Sequence, residues 1–134
     1  MTGIDGCLAE AMTIPGARGA SLVDWSSGLA LGAAGCSPEA GTGRDHETTA
    51  AEVAELARLA FESGAFTAAA GPRPGPGPVE DMIVTAQDSY HLIRFVETSF
   101  DSSVFLYLWL DRTEANLAVA LFRLKDITAR LVPA

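Results

Sequence analysis

The stretch Asp45–Phe66, DHETTAAEVAELARLAFESGAF, decides how the rest of this chain is arranged. It predicts one long helix. Asp45, Thr48 or Thr49 can accept hydrogen bonds from the free amides of the first turn, and Glu47 and Glu52 suit its positive end. At about 100° per residue, Glu52, Glu55, Arg58 and Glu62 fall on one narrow face. The remaining arc, roughly 240°, is apolar or small, against the ~100° stripe that a helix needs to sit on one core. Such a helix carries more apolar circumference than one sheet covers. The chain's own sheet takes one part, and a second molecule is the expected cover for the rest. Ala50, Val53, Ala57, Ala60 and Gly64 recur in steps of three and four, a seam small enough for another backbone to come close. Spacing alone leaves open which flank meets the sheet, Leu56-Leu59-Phe66 or Ala54-Phe61.

Outward from this helix the chain alternates cleanly. Residues 3–13 predict a short first helix with Ile4, Cys7, Leu8 and Ala11 on one face, stopped by Pro15-Gly16. ARGASLVDW (17–25) and LALGAA (29–34) predict two strands joined by a hairpin at Ser26-Ser27-Gly28. Their small residues suit a helix packed close on them. Residues 35–44 predict a turn-rich loop. After the long helix, residues 68–78 hold four prolines with glycines between them and predict an exposed loop. Three strands follow, 79–86, 90–98 and 104–110, with turns at 87–89 and 99–102. The last has Val104, Leu106, Leu108 and Leu110 on one face and Phe105, Tyr107 and Trp109 on the other. Large apolar groups on both faces place it centrally, covered on both sides. Residues 111–116 cap a closing helix with Leu117, Leu121, Leu124, Thr128 and Leu131 on one stripe, ended by Pro133. The expected fold class is α/β (α+β): a three-layer α/β/α sandwich. Its five-stranded antiparallel sheet has the long helix on one face and the terminal helices on the other.

The chain has 134 residues, enough for one domain with its own core, and 49% of them are hydrophobic. Seventeen acids face nine bases, one of them lysine, for a net charge of −8. Nucleic acid and anionic membranes repel such a chain. No apolar run approaches the ~20 residues of a membrane span, and the N-terminus lacks a signal-peptide pattern, so a cytoplasmic location is expected. Cys7 and Cys36 are then reduced thiols, too few for a disulfide scaffold.

Three segments in this order resemble the Roadblock/LC7 family: PGARGASLVDWSSGLALGAAG at 15–35, with its turn glycine at Gly28; TTAAEVAELARLA at 48–60; and FLYLWLDRTEANLAVALFRLK at 105–125. The resemblance spans nearly the whole chain, the Pro/Gly loop at 71–78 being longer and stiffer than the family pattern. It implies a small non-catalytic protein that forms homodimers or heterodimers. It implies that the long helix packs on its mate and that the third strands pair into one sheet. The implied interface comprises Ala50, Val53, Leu56, Ala57, Ala60, Gly64, Val79 and Met82. The implied partners are a second copy and a Ras-like small GTPase or an associated regulator, in bacterial signalling. Neither a cofactor nor a metal is implied.

Residue chemistry points away from catalysis. GLALGAAG (28–35) lacks the Lys-Ser/Thr ending of a phosphate-binding loop. Asp45-His46 with Cys36 is a conceivable nucleophilic set, but a helix cap beside a solvated histidine is the simpler reading. His91 has no second ligand at metal spacing. Glu80-Asp81 fit solvated charges at a strand mouth. Arg44, Arg73 and Arg112 lie in loops where an arginine can be lent to a GTPase. Met12 and Met82 fit the core. Phe122 falls on the far side of the last helix from Leu121 and Leu124 and, with Arg112, marks a possible partner surface. The alternative function is a small-ligand sensory domain, which requires a cavity with convergent polar groups between sheet and helix.

Overall fold

The computed structural model describes residues 3–36, 45–66, 78–96 and 103–131. In chain order they form α1 (Ile4–Ala11), β1 (Ala17–Asp24), β2 (Leu29–Gly35), α2 (His46–Glu62), a 3₁₀ turn (Gly64–Phe66), β3 (Asp81–Thr85), β4 (Ser89–Val96), β5 (Val104–Asp111) and α3 (Leu117–Leu131). The sheet order is β2-β1-β5-β4-β3, and every neighbouring pair is antiparallel. β5 is therefore the middle strand, as its two apolar faces require. The expected loops at 37–44 and 68–77, the turn at 99–102, Arg44, Arg73 and Pro133 lie outside the described residues.

Each sheet face has its own core. Leu22, Leu92, Leu106, Leu108 and Leu110 meet α1, the turn after it and α3 through Cys7, Leu8, Ile14, Leu124 and Ile127. Val23, Ile93, Phe95, Phe105 and Tyr107 meet α2 through Ala50, Ala54 and Ala57. The expected three-layer sandwich is the observed one. Gly32 explains the closeness of α1: a Cβ there would stand 2.8 Å from Ile4 Cγ2 and 3.0 Å from Leu8 Cδ1. Gly28 closes the first hairpin at φ 79, a conformation side chains disfavour, and donates its amide to Asp24.

The long helix is shorter than its sequence suggests. Asp45 caps it as expected, Oδ1 accepting from the Thr48 amide at 3.0 Å. At the other end Ser63 leaves the helix (φ −71, ψ 132), and its hydroxyl accepts from the Ala65 amide at 3.2 Å. This local bond competes with the helical one, and Gly64 adds backbone entropy against continuation. Gly64 and Phe66 thus fall beyond α2. In α3, Asn116 Oδ1 accepts from the Val119 amide, and Arg130 and Arg123 reach across to Glu10 and Thr13 of the α1 region, strapping the two terminal helices together.

Candidate interaction surface

α2 answers the question its spacing left open. Ala50, Ala54 and Ala57 are buried against the chain's own sheet, and Phe61 is wedged between Trp25 (centroids 4.9 Å) and Phe95 (5.1 Å). The Ala54-Phe61 flank is therefore the inner one. Small residues let the helix axis sit close to bulky strand residues, so Ala50, Ala57 and most of Ala60 are spent within the chain and do not face outward as the expected seam required. The seam's exposed remainder is Leu56, 42% exposed, beside half-buried Val53. Leu59 crowns the helix at 71% exposure, and Phe66 follows beyond its end. Ala51 lies against Gly28 of the hairpin. The Val53-Leu56-Ala60 flank lies on the opposite side of the helix from Ala51.

β3 is the second part of the surface. Phe95 donates its amide to the Glu80 carbonyl at 3.1 Å, and Ala86 donates to the Ser89 carbonyl at 2.9 Å. These bonds fix the phase of the ladder. Glu80, Met82, Val84 and Ala86 bond toward β4, and Asp81, Ile83 and Thr85 turn their amides and carbonyls outward. Ile83 and Val84 are 41% and 39% exposed. Val79 and Met82 are half-buried and pack on the α2-side core.

The β2 edge is built differently. Cys36 donates to the Arg18 carbonyl, which sets Gly32, Ala34 and Cys36 toward β1 and Ala33 and Gly35 outward. The phase then breaks: the register shifts between Leu22 and Val23, leaving Leu31 unmatched. His46 Nε2 donates to the Gly35 carbonyl at 3.0 Å, so this histidine is not the solvated one expected. A bulge and a side-chain cap are two of the devices that blunt an edge.

The remaining candidates are structural ties. Arg112 donates to the Ala86 carbonyl at 3.1 Å and lies over the Tyr90 ring, joining two loops. Arg94 pairs with Asp81 at 3.1 Å, and Glu80 stands 3.9 Å away. Asp45 caps α2 and His46 meets Gly35; neither contact involves the Cys36 thiol. Cys7 is buried, which pushes its thiol up to about 11. His91 takes a hydrogen bond on each ring nitrogen, Ser89 Oγ at 2.9 Å and Tyr107 Oη at 2.7 Å, a relay that no sequence spacing announces. Burial holds its pKa below the usual imidazole range. Arg18 pairs with Asp111, whose carboxyl that guanidinium holds down at about 2. These groups border an open groove of about 310 Å³ lined by Arg18, Asp88, Ser89, Trp109, Asp111 and Thr113. The groove lies at the end of the sheet, whereas the sensory alternative needs space between sheet and helix, and there large side chains fill the interior. Phe122 is 72% exposed and Val119 43%, a small apolar spot on the outer face of α3. Among the described residues no three His, Cys, Asp or Glu side chains are grouped to hold a metal, and no helix is long and apolar enough to cross a membrane.

This architecture is the Roadblock/LC7 fold. The chain superposes on a Roadblock/LC7 domain from Streptomyces avermitilis with a TM-score of 0.69 and 16% identity, covering 96% of this chain and 94% of that one. It is similar to MglB in a tetrameric arrangement (TM-score 0.70, 20% identity, 96% and 84% covered) and to Myxococcus xanthus MglB (TM-score 0.58, 18% identity, 93% and 78% covered). No family model matches the sequence, and no curated protein is significantly similar to it.

Proposed function

We propose that this chain is a non-catalytic homodimeric module that binds a Ras-like small GTPase or a regulator of one. The observation that carries the dimer is the β3 edge. Three residues in phase offer backbone groups there that no described strand pairs, with Ile83 and Val84 exposed beside them. Val53 of α2 packs against the same core as Val79 and Met82 beside that edge. Covering the edge and the Val53-Leu56 flank with a second copy removes apolar surface from water and satisfies the strand's outward donors and acceptors together. The other edge does not compete, because its phase is broken at Leu31 and its Gly35 carbonyl is already taken.

The GTPase partner rests on the fold and on the resemblance in residues 15–35, 48–60 and 105–125. Of the three loop arginines, Arg112 lies among the described residues, and it is tied to Ala86 and Tyr90. Sedimentation velocity tests the dimer; a single species of twice the chain mass is expected. Retention of a Ras-like GTPase encoded beside it, loaded in turn with GDP and a GTP analogue, tests the partner. Binding that differs between the two states is the expected result. No retention in either state removes the GTPase reading and leaves the dimer standing.

A further inference from the structure

We infer that the groove at the end of the sheet receives an arginine side chain of a partner protein, its guanidinium beside the Trp109 ring and its charge toward Asp88. The inference needs neither the second copy nor the GTPase. The groove, about 310 Å³, is framed by three strands. Arg18 comes from the start of β1, Ser89 from the start of β4, and Trp109 and Asp111 from the end of β5; Asp88 and Thr113 stand on the adjoining turns. One guanidinium is already seated there. Arg18 lies over the Trp109 ring, 5.9 Å from its centroid, and donates to Asp111 Oδ2. The chain's own residue thus shows that an aromatic face and a carboxylate at this spot suit a planar cation.

Charge decides what else can enter. Asp111 is fully engaged, because its Oδ1 also accepts from the Thr113 amide at 2.9 Å and hydroxyl at 2.8 Å. Asp88 is not: among the described residues neither it nor Glu114, beside Thr113, has a cation within ion-pair distance. The hydrogen bond to Asp111 and the charges of Asp111, Glu114 and Asp88 all favour the cationic form of Arg18. Three carboxylates therefore face one resident guanidinium. Arg112 does not join them, since it is turned to the Ala86 carbonyl and the Tyr90 ring. The excess negative charge repels an anion and draws a second cation. A neutral polar ligand finds less, because Ser89 Oγ is taken by His91 Nε2 at 2.9 Å. A free amine would stay largely hydrated in so open a groove, where single ion pairs are weak. A side chain carried by a partner protein binds as one contact among several, so the partner is the occupant that fits.

The probe is the tripeptide acetyl-Gly-Arg-Gly-amide, with its citrulline analogue, which keeps the side-chain shape and loses the charge. Both are titrated into isotope-labelled full-length chain, and the indole N–H resonance of Trp109 is followed; Trp109→Phe tells it from that of Trp25. Movement at millimolar arginine peptide is expected, with none from the citrulline peptide. Asp88→Asn combined with Glu114→Gln should weaken the arginine peptide about 3- to 10-fold. Arg18→Gln removes the resident cation and should tighten the peptide by a similar factor, about 3- to 10-fold, a sign that a purely structural arginine would not give. Melting temperatures confirm that each variant is folded. A Trp109 resonance that stays still, or moves equally with citrulline, overturns the site. Weaker binding in a folded Arg18→Gln chain overturns the charge argument. Agmatine bound at least ~10-fold more tightly than the tripeptide overturns the partner protein in favour of a free amine.

Discussion

His91 uses both ring nitrogens, one toward Ser89 and one toward Tyr107, and its ring stacks on Tyr107 at 5.9 Å between centroids. A neutral imidazole offers one donor and one acceptor, and both neighbouring hydroxyls can serve either role. Charging the ring adds desolvation cost, which is why its pKa lies below 6.5 in the fold despite Asp88, whose charge pulls the other way. The sign follows. A depressed histidine contributes stability that is fully present above the unfolded pKa and drains away as pH falls through about 6.5. The melting temperature should therefore drop between pH 7.5 and 5, and His91→Gln should flatten that slope while costing about 1–2 kcal/mol at pH 7.5. Urea melts of both proteins across this range check it; parallel slopes refute the assignment. Asp111 acts in the same direction but lower down. Its contribution is present above the ordinary carboxyl value of 3.8 and is lost as pH falls toward about 2, so it does not obscure the histidine window.

On the scale of the element, α2 separates burial from binding along one helix. Ala57 is fully buried on the sheet and Leu56, its neighbour, is 42% exposed. Ala57→Glu forces volume and charge into a packed layer, a cost of at least ~3 kcal/mol. Leu56→Glu costs the monomer under ~1 kcal/mol but opposes the proposed helix contact. Circular dichroism with light scattering should find Ala57→Glu misfolded and Leu56→Glu a folded monomer. The reverse assignment of phenotypes would mean that the helix is rotated. Asp45→Ala should cost about 1 kcal/mol through the lost cap, read by urea titration.

These outcomes also mark where the sequence was legible. Strand β5, with leucines on one face and aromatics on the other, declared its central place, and the apolar arc of α2 declared its contact with the sheet. The rotation of α2 did not follow from the arc. Alanines and leucines share it, and only strand bulk, Phe95 and Phe105 beneath, selects the alanines as the close-packed face. The end of the helix at Ser63 was hidden by a hydroxyl bond two residues long. The β3 edge was legible only through the family resemblance: exposure of an edge depends on sheet order, and strand order is set by contacts far apart in the chain.

For the whole molecule, the two sheet edges predict opposite responses to one kind of change. Lysine on an edge strand discourages pairing. Val84→Lys should shift sedimentation velocity to a single-chain species with little change in melting temperature. Leu29→Lys, at a residue 65% exposed on β2, should leave the dimer unchanged. A dimer lost through Leu29→Lys would place the contact on the wrong side of the sheet. The net charge of −8 adds a general repulsion between copies, so pairing should tighten with added salt.

The unmatched Leu31 and the His46 nitrogen on Gly35 have a consequence beyond guarding one strand. In the proposed dimer, both rims of the combined sheet are β2. A third copy finds no regular row of free amides and carbonyls to extend. Raising concentration then fills the paired state without lengthening it, and the assembly ends in closure instead of a fibre.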